Sequence, residues 1–170
     1  LTLSINNDHA ATTVASTAFI ASKIGIRFFA TGGIGGVHRD FNNFFDISGD
    51  LIQLSKTNMI VICSGAKSIL DIDKTYEMLE TLGIPRIGYK TKYMPGFWYR
   101  ETKNLVDHNY KTIDRLINYL KTRDKIGEKN SVLIFNPVPN KNNLDSYLIE
   151  QWINKSNEKA IQKSIKGKDL

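Results

Sequence analysis

The sequence predicts a layered α/β domain with a mostly parallel sheet. Helix-type and strand-type segments alternate along the 170 residues, and short joints marked by glycine or proline separate them. Two apolar runs of strand length, residues 59–63 and 131–135, are typical of strands buried on both faces of a parallel sheet. Because no repeat or low-complexity linker interrupts this pattern, we expect one domain, or part of one larger domain, over residues 1–170.

The first half of the chain begins with a helix over residues 10–24, whose apolar residues recur at helical spacing and which ends before Gly25. A short β-type run, residues 26–30, follows it and leads into a glycine cluster. Residues 47–56 are predicted to be helical, and residues 59–63 then form the first buried strand.

The second half opens with a helix over residues 74–82, which either Asp71 or Asp73 can cap. Residues 86–89 are predicted to form a short strand, and residues 90–109 an irregular aromatic-rich stretch. A helix over residues 111–123, a buried strand over residues 131–135 and a long amphipathic helix over residues 144–165 follow. The predicted apolar face of the last helix consists of Leu144, Leu148, Trp152, Ile161 and Ile165.

Composition and charge exclude several classes of protein. An apolar content of 41% with 24% charged residues is typical of a globular chain and unlike a disordered one. No run approaches eighteen apolar residues, so we predict no membrane-spanning helix. Cys63 is the only cysteine, which excludes a disulfide framework and a cysteine-based zinc cluster. The net charge is +6, but much of the excess lies in residues 151–170, which favours a solvated lysine-rich helix over nucleic-acid binding.

The first candidate site is the glycine cluster of residues 31–36, which is followed closely by His38 and Arg39. Glycines let backbone amides approach an anion closely, and phosphate is the commonest such anion. The spacing matches neither the dinucleotide-binding fingerprint nor a phosphate-binding P-loop. An anion site and a purely structural turn both remain possible, and for His38 and Arg39 so does ordinary hydrogen bonding.

The second candidate site is Lys67, which leaves a buried strand through a Ser-Gly turn. A partly desolvated ammonium has a lowered pKa, and the neutral amine can attack a carbonyl carbon. The alternative is a lysine whose stem packs and whose charged head reaches solvent. We interpret Cys63, in the preceding strand, as an inert core thiol.

A pair of carboxylates forms the third candidate. Asp46 and Asp50 flank Ser48 at the predicted start of a helix, where they can share a face. They could bind a hard divalent ion such as Mg²⁺ or Mn²⁺, or they could cap the helix.

These segments together resemble one known family. The strings are TGGIGGVHR from Thr31, FDISGDL from Phe45, CSGAKSILDI from Cys63, LETLGIPRIGY from Leu79 and NPVP from Asn136. In this order they resemble the pseudouridine-5'-phosphate glycosidase family, whose members are also described as pseudouridylate synthases or indigoidine-synthase-A-like proteins. The resemblance covers essentially the whole chain.

The resemblance implies a fold and a reaction. Family members are α/β/α sandwiches that assemble as homotrimers, and they reversibly convert pseudouridine 5'-phosphate and water to uracil and ribose 5-phosphate. Lys67 matches the nucleophile, which forms a covalent imine-type adduct with the ring-opened sugar. The imine is an electron sink, so the uracil carbon can leave after protonation.

The resemblance also implies further site residues. Asp46 matches the ligand of a divalent metal near the sugar phosphate, usually Mn²⁺, with Mg²⁺ as the alternative. The implied substrate contacts are Val14, Ser48, Gly49 and Asp50. The expected partners are therefore a small-molecule substrate and two further copies of the chain, with no nucleic acid and no membrane.

The chain departs from the family pattern at its ends. The family's proton-donating glutamate and a second substrate-contacting lysine have no counterpart in this sequence, which starts with Leu1. We therefore expect a fragment that lacks the N-terminal part and the extreme C-terminus of the family domain. No signal peptide is visible, and a cytoplasmic location is the expectation. The alternative to an enzyme is a catalytically incomplete module that binds a sugar phosphate or nucleotide.

Overall fold

The computed structural model describes residue 9, residues 11–39 and residues 45–165. The strands of this part, in chain order, are β1 (Phe28–Ala30), β2 (Ile60–Cys63), β3 (Arg86–Tyr89), β4 (His108–Tyr110) and β5 (Val132–Phe135). The helices are α1 (Val14–Lys23), α2 (Gly49–Ser55), α3 (Ile72–Thr81), α4 (Ile113–Ile126) and α5 (Ser146–Gln162), with a 3₁₀ turn at Asn140–Asn142. The helix start predicted at Ala10 lies outside the described residues.

The strands form one sheet in the order β1-β2-β5-β3-β4, and every strand pair in the described part is parallel. The two apolar runs predicted to be buried strands lie side by side near its centre, where Ile60 pairs with Val132 and Cys63 with Phe135. Central strands lose water on both faces, which is why their residues are apolar without alternation. The predicted mostly parallel sheet is confirmed.

Helices cover both faces of the sheet. Val61 and Leu133 belong to an apolar cluster that also contains buried side chains of α1, α2 and α3. Their neighbours Ile60 and Val132 point the other way and pack with Leu116 of α4. Since successive strand residues face opposite sides, the two clusters are separate cores. The domain is therefore a three-layer α/β/α structure, as the resemblance implied.

Side-chain caps determine where the helices begin. Asp71 accepts a hydrogen bond from the Lys74 amide at 3.0 Å, so Asp71 rather than Asp73 caps α3. Ser48 caps α2, which consequently begins at Gly49 instead of residue 47.

Strand β4 was not predicted. Its residues His108–Tyr110 overlap the end of the stretch interpreted as irregular, and they are polar or aromatic, without an apolar alternation. The strand exists because its backbone pairs with β3, with Ile87 opposite His108. A three-residue edge strand of this kind depends on its neighbour for every ladder hydrogen bond.

The predicted apolar face of the last helix is wrong for the described structure. Leu148, Trp152 and Ile161 are 46%, 57% and 59% exposed, whereas Ile149 and Ala160 are the buried side chains of α5. The side of the helix that packs is therefore rotated away from the side with the largest apolar residues. Within the part of the chain that the structure describes, no helix has both the length and the apolar character needed to cross a membrane.

Candidate active site

Two of the candidate motifs run side by side at one edge of the sheet. The glycine segment (residues 31–39) leaves the carboxyl end of β1, and the lysine segment (residues 63–72) leaves that of β2. The Ile34 amide donates to the Gly65 carbonyl at 3.0 Å, and the Lys67 amide donates to the Ile34 carbonyl at 3.0 Å. The parallel pairing of β1 and β2 thus continues past their ends. Ligands of parallel α/β sheets bind at this edge.

The third motif pairs with the glycine segment. In the aspartate segment (residues 45–51), the Asp46 carbonyl accepts a 2.9 Å hydrogen bond from the His38 amide. Its Ser48 amide donates to the Gly36 carbonyl, also at 2.9 Å. The structure therefore brings together all three motifs that the sequence singled out, with the glycine segment between the other two.

Lys67 has a fixed backbone and an accessible side chain. Its amide is bonded to Ile34, its carbonyl accepts a 3.0 Å hydrogen bond from the Leu70 amide, and its side chain is exposed. None of the ion pairs among the described residues includes its ammonium. Of the two interpretations of Lys67, the described residues therefore agree with the one in which its charged head reaches solvent.

Asp46 is the carboxylate of the site that remains accessible. Its side chain is 25% exposed, and its Oδ2 lies 3.7 Å from Nδ1 of His38. A carboxylate and a neutral imidazole are both ligands that Mn²⁺ accepts. The described residues contain no group of three His, Cys, Asp or Glu side chains arranged to hold a metal. A divalent ion at Asp46 would thus take further ligands from water or a phosphate, as Mg²⁺ commonly does.

Asp50 is a buried structural carboxylate. It is 4% exposed, its Oδ2 accepts from the Gly35 amide, and its Oδ1 accepts from the Ala15 amide, both at 2.8 Å. Of the two roles left open for this pair, the described residues do not form a shared metal-binding face, because Asp50 turns inward to these amides. Helix capping by either carboxylate is also excluded, since Ser48 caps α2. A substrate contact at Asp50 stays a prediction.

Ser48 and Gly49 form the start of α2, where Ser48 is half-buried and Gly49 is exposed. The Ser48 Oγ accepts from the Asp50 amide at 3.2 Å and so stabilises the first turn. Gly49 is exposed, and a Cβ added to it would meet no atom within 4 Å. Packing among the described residues thus gives no reason for a glycine here. Close approach of a ligand to the backbone would be such a reason, which agrees with the implied substrate contact.

Val14 begins α1, directly beside the aspartate segment. Thr13 caps this helix by accepting a 3.3 Å hydrogen bond from the Ser16 amide, and Ala15 is the residue whose amide binds Asp50. The Val14 side chain is 9% exposed and lies in the apolar core. The resemblance implied a substrate contact at Val14, and this contact stays a prediction. Because the side chain is buried, the main-chain N–H is the group that could make it, since the first N–H groups of a helix have no partner within the helix.

The aromatic-rich stretch supplies a neighbour of the site, Phe97, for which the sequence pattern indicated no role. The Phe97 amide donates to the Ser64 carbonyl at 2.9 Å, and Ser64 Oγ donates to the Phe97 carbonyl at 3.2 Å. The Phe97 ring lies against Gly33, where an added Cβ would be 2.5 Å from the ring. Gly33 is therefore needed so that the ring can approach the glycine segment. The Pro-Gly-Phe string at residues 95–97 was the available signal.

Comparison with known proteins shows the relationship directly. A family model described as "Indigoidine synthase A like protein" matches residues 2–170. A protein of Brachyspira hyodysenteriae named pseudouridine-5'-phosphate glycosidase is 49% identical over 160 residues, which are 94% of this chain and 52% of that protein. A Staphylococcus aureus protein of the same name is 46% identical over 159 residues, again 94% of this chain and 52% of the relative. The chain spans about half the length of these curated relatives.

Two crystal structures share the fold. The prealnumycin C-glycosynthase AlnA, in complex with ribulose 5-phosphate, superposes with a TM-score of 0.89 and 36% identity, over 96% of this chain and 54% of that one. An indigoidine synthase A-like protein from Thermotoga maritima gives a TM-score of 0.80 at 35% identity, over 86% of this chain and 49% of that one. Family model, relatives and structures agree, and the chain belongs to the indigoidine synthase A-like family.

Proposed function

We propose that this chain takes part in the reversible cleavage of the C-glycosidic bond of pseudouridine 5'-phosphate, which gives uracil and ribose 5-phosphate. The observation behind the proposal is that the glycine segment pairs on one side with the lysine segment and on the other with the aspartate segment. Relatives that are 49% and 46% identical are named for this activity. The related AlnA, a C-glycosynthase, was crystallised with a sugar phosphate.

In this proposal Lys67 is the nucleophile. Its amine attacks the anomeric carbon, the bond from that carbon to the ring oxygen breaks, and the ring oxygen takes a proton as the sugar opens. Protonation of the uracil carbon then breaks the C-glycosidic bond, and the nitrogen lone pair completes an imine between Lys67 and the sugar as uracil leaves. Water then releases ribose 5-phosphate and the free amine. The exposed side chain agrees with a substrate that has to reach the amine, and the two backbone hydrogen bonds of Lys67 hold its Cα in place during the attack.

The remaining site residues bind and orient the substrate. Asp46, with His38 beside it, would hold the divalent ion, which would offset the charge of the 5'-phosphate. Gly49 and the amide at the start of α1 would contact the substrate through the backbone, while Asp50 keeps these two helix starts together. The homotrimer implied by the resemblance belongs to the same proposal, and light scattering of the purified protein would test it.

The first experiment measures uracil release from pseudouridine 5'-phosphate with added Mn²⁺. The 170-residue chain and the product of the complete gene are assayed side by side. In parallel, each protein is treated with ribose 5-phosphate and borohydride, and mass spectrometry locates any reduced sugar adduct. We expect uracil release by the complete product, and an adduct on the peptide that contains Lys67.

Two variants make this experiment specific. Lys67→Arg keeps the charge but removes the nucleophilic amine, and we expect it to abolish both release and adduct. Lys56→Arg is the matched control, because Lys56 is an exposed lysine at the far end of α2. Uracil release by Lys67→Arg would contradict the proposed role. Metal-dependent ribose 5-phosphate binding by the wild-type proteins without any release would favour the binding module instead.

A further inference from the structure

The geometry points to Arg39, held by Glu150 of α5, as a positioning residue for Lys67. This inference rests on the function proposed above, since it concerns the placement of the proposed nucleophile. Arg39 ends the glycine segment, and its guanidinium reaches both the lysine segment and α5. It joins three parts of the chain that are far apart in sequence.

The hydrogen bonds of the guanidinium use all of its donors. A guanidinium has five N–H groups in a planar fork. Nε donates to the Ile69 carbonyl at 3.2 Å, and Nη2 donates to the Ser68 carbonyl at 3.2 Å and to Glu150 Oε1 at 3.0 Å. Nη1 donates to Glu150 Oε2 at 2.9 Å and to Asn154 Oδ1 at 3.4 Å. No N–H remains for an anion, which excludes a phosphate-binding role in this arrangement.

These contacts hold the backbone on both sides of the lysine. On the preceding side, the Lys67 amide is bonded to the Ile34 carbonyl of the glycine segment. On the following side, the carbonyls of Ser68 and Ile69 accept from Arg39, which belongs to the same segment. Lys67 is thereby fixed between two contacts with one neighbouring stretch of backbone. A small shift of a reacting group away from its productive position can lower a rate by about a hundredfold.

Glu150 determines where the guanidinium lies. It forms a two-point ion pair with Arg39, in which the side chains are 25% and 38% exposed. Such fork-to-carboxylate pairs fix direction as well as distance. Only Ile149 and Ala160 of α5 are buried, so apolar packing contributes little to the attachment of this helix. The ion pair therefore links the orientation of α5 to the position of the lysine segment.

The test uses Arg39→Lys and Glu150→Gln in the complete, active protein. A lysine ammonium keeps the charge but has only three N–H donors on one atom, so it cannot replace the five contacts of the planar guanidinium. We expect Arg39→Lys to lower kcat about tenfold to a hundredfold with little change in KM. The rate of borohydride trapping at Lys67 should fall in parallel. Glu150→Gln, which keeps one acceptor oxygen, should lie between Arg39→Lys and the wild type.

The chain offers a matched control in Arg27 and Asp124. This pair is also two-point, with N–O distances of 3.0 Å and 2.6 Å, and it lies at the amino end of β1, away from the site. Arg27→Lys removes the same kind of interaction, and we expect it to leave kcat and the trapping rate unchanged. Any loss of activity that merely follows from weaker folding would appear in this control too.

Hydrogen exchange decides the inference independently of activity. In Arg39→Lys, the amides of residues 67–70 should exchange faster than in the wild type, and in Arg27→Lys they should not. An increased KM with unchanged kcat would overturn the inference in favour of phosphate binding by Arg39. Unchanged kcat, trapping and exchange in Arg39→Lys would overturn it outright. If the wild type neither traps sugar nor releases uracil, the proposed function fails, and the exchange data alone support or reject the positioning role.

Discussion

The Gly35 amide donates a 2.8 Å hydrogen bond to Oδ2 of Asp50, and through this contact the glycine segment is fixed to the start of α2. A Cβ added at Gly35 would lie 2.7 Å from the same oxygen and 2.2 Å from Ser48 Oγ, so the contact requires a glycine. The other carboxylate oxygen binds the Ala15 amide at the start of α1. One buried side chain therefore holds three backbone segments of the candidate site together.

Asp50→Asn is expected to destabilise the protein by about 1–3 kcal/mol, because the new amide nitrogen would face a backbone N–H that it cannot accept from. Urea unfolding followed by circular dichroism measures this change. Asp46→Asn is the comparison, since its carboxylate is partly exposed and its contact with His38 is long at 3.7 Å. It should alter stability by less than about 0.5 kcal/mol, yet reduce the Mn²⁺ dependence of uracil release. Equal loss of stability in both variants would contradict the distinct roles of the two aspartates.

Gly65→Ala is expected to disrupt the lysine segment. Gly65 has a φ of +89°, and a Cβ there would lie 2.0 Å from the Pro95 carbonyl oxygen. We expect a loss of at least about 2 kcal/mol in unfolding free energy, because backbone strain adds to a clash with main-chain atoms. Gly49→Ala has open space and an ordinary φ, so its thermal unfolding should match the wild type. A raised KM in Gly49→Ala would support backbone contact with the substrate there.

Lys67→Ala should separate chemistry from folding. The side chain is exposed and forms no ion pair with the described residues, so unfolding free energy should change by less than about 0.5 kcal/mol. Differential scanning calorimetry and the uracil assay on the same sample measure both properties. A marked loss of stability would show that Lys67 has a structural partner in the complete protein.

Cys63 should be unreactive until the protein unfolds. Burial raises the pKa of its thiol from 9.0 to about 12, so only about one thiol in ten thousand is ionised at pH 8. A thiol reagent should therefore react with the unfolded chain and not with the native one. The interpretation of Cys63 as a buried core residue is confirmed by its 2% exposure.

The same shift makes stability depend on pH. Above about pH 9 the unfolded state releases the thiol proton and the native state keeps it, so the Cys63 contribution to stability is lost between about pH 9 and pH 12. Unfolding free energies of the wild type and of Cys63→Ala, measured from pH 7 to pH 10.5, should therefore converge as the pH rises. A constant difference over this range would contradict the raised pKa.

Much of the fold could be predicted from local sequence. Residues 86–89 form a strand with the predicted bounds. Helix α3 is capped by Asp71, which is one of the two residues predicted as its cap. The bounds were predictable because apolar runs, caps and glycines act on their immediate neighbours in the chain. The ends of β1 and β2 followed from the same patterns, which is why the glycine and lysine segments were each identified as residues that follow a strand.

Other features depend on contacts between distant residues. Asp46 and Asp50 have the same side chain, yet one remains accessible and the other turns to the Ala15 amide, 35 residues away in the chain. By sequence alone Arg39 could equally bind an anion, whereas in the folded chain its Nη1 lies 2.9 Å from Oε2 of Glu150.

The α/β class, most element positions, the family resemblance and the three motifs of the site could all be predicted before folding was considered, because they depend on residue type and on spacing along the chain. Four features became visible only in the folded chain: the strand order, the pairing that creates β4, the exposure of Lys67 and the partners of Asp50 and Arg39. Burial and hydrogen-bond partners belong to pairs of residues brought together by folding, and local patterns do not record which distant backbone or side chain will be the neighbour.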